Sequence, residues 1–374
     1  MQYIYKKRCE KLQEWMIQEN IAALFFHDSE TNRTPAVRYF SGMPTDSIFM
    51  LTRDGKTALC SWDETMATKM GHADIILSYS TFERSPLLAV KGMLRLLEVP
   101  LNSKVEIPSF ISYPQFLHYV HELSDYNVMC REDGAIEYVE KLRSIKDEYE
   151  IKCIKKASEI TNTIIELIEN SIQDNSIQTE SDVALLIEKE CRKAGCEGTG
   201  FETLVAGPER SFGIHCFPAY TDAPWPAQGL SLVDFGVVYE GYTSDVTLTV
   251  AKGPLTEEQD KQLSLVEKAY EEAIRLYKCG EPIYKAGEKV DKLFVKHKRK
   301  MPHSLGHGYG LEAHEWPTIK TKMNKTHVFE AGMVVTLEPG LYDEKTGGCR
   351  LENDILILET ESIVLTNTKI IRIP

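Results

Sequence analysis

Leu232-Val233-Asp234-Phe235-Gly236-Val237-Val238-Tyr239-Glu240-Gly241-Tyr242-Thr243-Ser244-Asp245-Val246-Thr247-Leu248-Thr249-Val250 reads as two β-rich runs on either side of a turn at 239–241. Aspartate is depleted in strands, yet each run carries one. With a two-residue loop at Tyr239-Glu240, Asp234 and Asp245 face each other across the hairpin, their Cβ atoms about 4.5–5.5 Å apart. With Glu240-Gly241 as the loop they become diagonal neighbours on the same face. Either way two carboxylates converge. Two such charges in an apolar wall repel strongly unless they are protonated or bridged by a cation. The competing reading is a solvated face on which both acids are hydrated. Val233, Phe235, Val237, Val246 and Val250 require one buried face and leave the other open.

Further acids lie in apolar surroundings. Val334-Val335-Thr336-Leu337-Glu338-Pro339-Gly340 puts a glutamate at the end of an apolar strand, stopped by Pro-Gly. Arg350-Leu351-Glu352-Asn353-Asp354-Ile355-Leu356-Ile357-Leu358 reads as one strand, with Arg350, Glu352 and Asp354 on one side by period-two alternation. His303-Ser304-Leu305-Gly306-His307-Gly308-Tyr309-Gly310-Leu311-Glu312-Ala313-His314-Glu315 offers three histidines among glycines, which let backbone approach a ligand closely. Four carboxylates and one imidazole form a hard donor set suited to Mn²⁺, Co²⁺, Fe²⁺ or Zn²⁺. Two divalent ions would balance the four negative charges. A water shared by ions ~3.5–4 Å apart is acidic enough to attack a carbonyl at neutral pH.

The ordered motifs Asp-x10-Asp, Gly-His-Gly-x-Gly-Leu-x-x-His-Glu, Thr-x-Glu-Pro-Gly and Arg-x-Glu-Asx resemble those of the pita-bread metallopeptidases. That family includes Xaa-Pro dipeptidases (prolidases), Xaa-Pro aminopeptidases and methionine aminopeptidases. The resemblance implies an α+β catalytic domain over residues 141–374, with pseudo-twofold helix pairs on a curved antiparallel sheet. Residues 1–140, including Val37-Arg38-Tyr39-Phe40-Ser41-Gly42, are similar to the smaller α/β N-terminal domain of the prolidase and creatinase branch. The ~140-residue front domain sets methionine aminopeptidases aside. By resemblance the metal ligands are Asp234, Asp245, His307, Glu338 and Glu352. Asp234 chelates one ion, His307 and Glu338 the other, and Asp245 and Glu352 bridge. Glu338 is also the implied proton shuttle from water to leaving amine. His215 and His314 align with the family's two substrate-side histidines, the latter bonding the scissile carbonyl. His303 matches a further active-site histidine of the proline-specific branch, and Arg350 would hold a bridging carboxylate in place.

The implied reaction is hydrolysis after the N-terminal residue of Xaa-Pro peptides, with two divalent ions per chain, manganese first among them. The implied partners are a small peptide substrate and a second copy of the chain. Two departures, Gly207-Pro208-Glu209-Arg210 and Thr247-Leu248-Thr249, are expected to line the substrate side without touching a ligand. The alternatives are a catalytically inactive pita-bread binding module and a metal-independent creatinase-like amidinohydrolase. Both usually lack acidic ligands that this chain retains.

Working outward, Ile151, Ile154, Ala157, Thr161, Ile164, Ile165, Ile168 and Ile172 recur at three- and four-residue steps, predicting a long amphipathic helix. A second helix is predicted from Thr179, with Asp182 completing a capping box, to Gly195. A third runs from Thr256, with Gln259, to Gly280, and a fourth covers Lys285 to about Lys298. Helix pair, strands, helix pair, strands suggests one unit used twice. In the front half, 21–26 reads as a buried strand and 48–60 as a hairpin around Arg53-Asp54-Gly55. A helix follows at 87–97.

The length of 374 residues fits two or three domains. A net charge of −13, from 56 acids against 43 bases, disfavours nucleic acid and anionic membrane as partners. Nine scattered cysteines without a Cys-x-x-Cys indicate neither a disulfide framework nor a zinc ribbon. No apolar run reaches about 18 residues and the start shows no apolar leader, so a cytoplasmic location is expected.

Overall fold

The structure, a computed structural model, describes residues 2–374. The chain splits after Leu142 into two compact units. The first contains α1 (Gln2–Gln18), β1 (Ala23–Asp28), α2 (Pro35–Ser41), β2 (Ser47–Thr52), β3 (Thr57–Ser61), α3 (Glu64–Met70), β4 (Ile75–Ser78), α4 (Pro86–Leu96), β5 (Lys104–Glu106), α5 (Tyr113–Glu122) and β6 (Asn127–Met129). Its sheet runs β4-β3-β2-β1-β5-β6. The predicted β2–β3 hairpin is present, with Gly55 at φ +86° supplying the positive φ at its tip. α6 (Ala135–Ser144) leads into the second unit.

That unit opens with α7 (Glu148–Gln173) and α8 (Glu180–Lys193). Isoleucine costs up to ~0.7 kcal/mol relative to alanine in a helix, whereas burying one contributes about 1.5–3 kcal/mol. Packing therefore decides, and Ile154, Ile164, Ile165 and Ile168 are buried. The strands β7 (Gly198–Thr199), β8 (Leu204–Ala206), β9 (Gly229–Phe235), β10 (Val237–Tyr239), β11 (Tyr242–Thr243) and β12 (Val246–Lys252) follow. Then come α9 (Glu257–Ala273) and α10 (Tyr284–Lys296). The last strands are β13 (Gly306–Gly308), β14 (Glu315–Ile319), β15 (Val334–Leu337), β16 (Gly340–Asp343), β17 (Gly347–Arg350), β18 (Asn353–Ile357), β19 (Ser362–Val364) and β20 (Ile370–Ile373). The helix-pair-then-strands order thus occurs twice.

Each helix pair covers its own strands. α7 and α8 pack Ile164, Ile168 and Ile187 against Val233 and Leu248 of β9 and β12. α9 and α10 pack Val266, Val290 and Phe294 against Val335 and Ile355 of β15 and β18. Both predicted capping boxes form, Thr179 with Asp182 and Thr256 with Gln259.

Three predicted boundaries differ. α9 ends at Ala273, seven residues before Gly280, passing into a 3₁₀ turn at Ile274–Leu276. The turn lets Tyr277 enter the core, where its hydroxyl donates to the Thr336 carbonyl (3.1 Å). The run before the 239–241 turn is divided at Gly236, where β9 lies in one sheet and β10 in another. A Cβ at Gly236 would sit 1.9 Å from the Ser244 carbonyl oxygen, so glycine is required at that crossing. The 350–358 strand is divided too. β17 ends at Arg350 and β18 begins at Asn353, because the Glu352 amide turns aside to donate to the Thr247 carbonyl (3.1 Å) on β12.

Candidate metal centre

The β9–β12 register pairs Asp234 with Thr247, and that of β10–β11 pairs Tyr239 with Tyr242. The loop is therefore Glu240-Gly241, with φ +51° and +86°, the paired positive values of a tight hairpin turn. Of the two geometries open in the sequence, the diagonal one is realised. Asp234 and Asp245 are both buried on the same face.

The other half brings its own acids. Glu338 follows β15, its amide held by the Leu305 carbonyl (2.9 Å). Glu352 accepts from the Thr247 hydroxyl at 2.6 Å. His307 sits in β13, where its Nδ1 donates to the Gly308 carbonyl (3.0 Å). A carbonyl can only accept, so Nδ1 carries the proton and Nε2 keeps its lone pair. Nε2 lies 3.6 Å from Asp245 Oδ2 and 3.5 Å from Glu338 Oε1. Ligand atoms of Asp245, His307 and Glu352 all lie within 4.8 Å of one another. These residues, Asp234 and Glu338 line one cavity of about 350 Å³, together with His215, His303, His314 and Arg350.

Arg350 is expected to hold a bridging carboxylate. Its Nη2 donates to Asp234 Oδ2, and its Nε lies 3.9 Å from Glu352, one of the two expected bridging carboxylates. The link to Glu352 passes through Thr247, whose oxygen accepts from Arg350 Nε (2.7 Å) as its hydroxyl donates onward. The expected placement of 247–249 on the substrate side, clear of any ligand, is overturned. Strand alternation turns Leu248 into the core beneath α7 and α8, and Thr247 touches Glu352. Nor does the 207–210 run line the cavity. Arg210 is tied to Glu180 (2.7 Å) and to the carbonyls of Val205 and Pro218.

Two residues escaped sequence reading. Tyr342 accepts from Arg350 Nη1 (2.7 Å), which leaves its own proton for His303 Nε2 (3.0 Å). His303 Nδ1 in turn donates to the Ser304 carbonyl (2.7 Å) and lies 3.6 Å from Glu338 Oε2. No sequence signal marks Tyr342. Thr247 could have been found, since period two places it on the same side of β12 as Asp245. His314 is exposed, with its ring centroid 4.1 Å from that of His307, and His215 is exposed beside it on the cavity wall.

The electrostatics favour a cation. Burial, then Glu352 and Asp234, push the Asp245 carboxyl well above the usual carboxylate range. Burial and Glu352 do the same to Glu338. Glu352 rises to about 7, and Asp234 rises through burial despite Arg350. Burial and His314 drive His307 down to about 3, so its imidazole is neutral. Asp234 Oδ1 is buried without a hydrogen-bond partner. Crowded carboxylates, an orphaned oxygen and an aimed imidazole lone pair together fit a divalent ion. Thr247→Val keeps side-chain shape and removes the hydroxyl orienting Glu352. It is expected to weaken Mn²⁺ binding about 10- to 100-fold by calorimetry; unchanged affinity would mean Glu352 is oriented otherwise.

Comparison with known proteins follows the same line. Residues 152–359 match the model of metallopeptidase family M24. An Xaa-Pro dipeptidase of Pyrococcus furiosus is 29% identical, covering 97% of this chain and 99% of the relative. An uncharacterised peptidase of Staphylococcus aureus strain MRSA252 is 33% identical over 88% of this chain and 92% of its own length. The crystal structure of an X-Pro aminopeptidase from Thermotoga maritima superposes with a TM-score of 0.82 at 27% identity, covering 98% and 99% of the two chains. With the motifs, the repeated helix-and-strand architecture and these matches in agreement, the chain belongs to metallopeptidase family M24, a hydrolase of pita-bread fold that uses divalent metal.

Proposed function

We propose that the chain hydrolyses the bond after the N-terminal residue of Xaa-Pro peptides, using two divalent ions held by Asp234, Asp245, His307, Glu338 and Glu352. The observation that carries this is the His307 Nε2 lone pair, 3.6 Å and 3.5 Å from carboxylate oxygens of Asp245 and Glu338. When bound, the ions supply Lewis acidity that acidifies water and polarises the scissile carbonyl. Glu338, partly buried and with a raised proton affinity, receives the proton of the attacking water and passes it to the leaving amine. His314 donates to the carbonyl oxygen as negative charge develops there, and His215 flanks the substrate. Tyr342 holds the His303 ring near Glu338, and Arg350 holds Asp234. Manganese is the proposed metal. Residues 1–140 form the proposed creatinase/prolidase-like front domain and 141–374 the catalytic domain. The proposed assembly is a cytoplasmic homodimer. Among the described residues no helix is long and apolar enough to cross a membrane.

The test is metal analysis combined with product analysis. Protein purified without chelator is expected to carry about two divalent ions per chain and to release alanine from Ala-Pro-Ala faster than from Ala-Ala-Ala. Substoichiometric metal at full activity would remove the two-ion reading. Equal rates on both peptides would remove the proline preference and leave the metal chemistry standing.

A further inference from the structure

We infer that the cavity discriminates against the free carboxylate of a dipeptide, making the chain an aminopeptidase on peptides of three or more residues. This rests on the proposed Xaa-Pro hydrolysis at the same site.

Among the described residues lining the cavity, Arg350 is the one lysine or arginine. Its side chain is 2% exposed, and four of its five N–H donors are spent on Asp234, Thr247, Tyr342 and the Ile214 carbonyl. It is wall, not ligand contact. The other charged side chain clear of the proposed metal ligands is Glu202, exposed beside the apolar Phe201 and Leu204. His215, His303 and His314 are further hydrogen-bonding side chains of the wall.

In Xaa-Pro the C-terminal carboxylate is bonded directly to the proline Cα, two bonds from the scissile nitrogen. Its charge would have to enter a cavity with no uncommitted lysine or arginine and with an exposed acid in its wall. Desolvating an unpaired carboxylate is unfavourable, and juxtaposing it with a like charge adds to that. In Xaa-Pro-Xaa the same carbon is a neutral amide carbonyl. The carboxylate moves out by about 3.3–3.6 Å per added residue, toward a solution whose ions screen charge within ~8 Å. The partly exposed Phe201 on the same wall suits an uncharged continuing chain. Rejection of the shorter substrate is thus built in as an unfavourable contact rather than as a missing favourable one.

The full chain, loaded with Mn²⁺ and assayed near pH 8, decides the matter on Ala-Pro, Ala-Pro-amide and Ala-Pro-Ala. We expect kcat/KM for the amide and the tripeptide to exceed that for Ala-Pro by about tenfold or more, with the gap shrinking as salt rises. Glu202→Arg should narrow it by raising Ala-Pro relative to Ala-Pro-Ala; an unchanged ratio would remove Glu202 from the discrimination. Ala-Pro cleaved as fast as its amide by the unmodified chain overturns the inference while leaving Xaa-Pro hydrolysis intact. Failure to cleave any of the three would overturn the parent reading as well.

Discussion

Glu338→Gln is expected to lower kcat on an Xaa-Pro peptide by about three orders of magnitude, with a much smaller change in KM. The carboxylate stands at the end of β15, where Pro339 and Gly340 stop the strand. Its two oxygens are 3.5 Å from His307 Nε2 and 3.6 Å from His303 Nδ1. Burial and Glu352 raise its proton affinity, which suits a group that must first take a proton and then surrender it. Glutamine preserves shape and one ligand-type oxygen but cannot carry the proton, and positioned acid–base groups contribute about 10²–10⁴-fold. Steady-state kinetics on Ala-Pro-Ala checks this. A variant within tenfold of the unmodified chain, with normal metal content, would transfer the shuttle role elsewhere.

Asp245→Ala should be the more damaging change, abolishing measurable turnover together with metal retention. Asp245 belongs to the cluster within 4.8 Å that includes His307 and Glu352. Losing it leaves Glu338 and Glu352 crowded without their share of the counter-ion. Thermal unfolding supplies a second readout. Ligand at about 1,000 times its Kd stabilises a fold by ~4.1 kcal/mol, a gain of several degrees. That gain should depend on pH in a defined direction. In metal-free protein Glu352 has its pKa raised from an ordinary 4.5 to about 7, and Asp245 and Glu338 are raised further. Between pH 4.5 and about 7 these three carboxyls hold more protons in the folded metal-free chain than in the unfolded one, so their contribution to its stability falls as pH rises. Metal replaces those protons. The Tm increment on adding Mn²⁺ should therefore be larger at about pH 8 than at pH 5 for the unmodified chain, and small at both for Asp245→Ala. An increment that does not grow with pH, or that survives in the variant, would show that the ion is held elsewhere.

What could be read before any coordinates were known was governed by range. The caps at Thr179 and Thr256 depend on residues three positions away and formed as predicted. The convergence of Asp234 and Asp245 was legible because both sit within one hairpin. The choice of loop was not, since Tyr239-Glu240 and Glu240-Gly241 both satisfy the pattern until φ values are known. The early end of α9 was hidden because it answers to Tyr277 meeting the Thr336 carbonyl, 59 residues on. The break at Leu351-Glu352 was hidden because it answers to Thr247 on another sheet. Tyr342 carries no local mark; its importance lies in standing between Arg350 and His303. The chemically distinctive residues of the site were visible; of the neutral ones that aim them, Thr247 was within reach of strand alternation and Tyr342 was not.

The backbone crossing from Glu352 to Thr247 bears on how the enzyme is born. Each half of the second unit brings two acids, Asp234 and Asp245 from the earlier strands, Glu338 and Glu352 from the later. A chain still emerging from the ribosome displays the first pair long before the second exists. On the proposed ligand set neither pair alone offers the full complement of donors, so a half-made molecule would lack its hydrolytic machinery. Peptide cleavage would then wait until translation has passed Glu352 and the two halves have closed on each other.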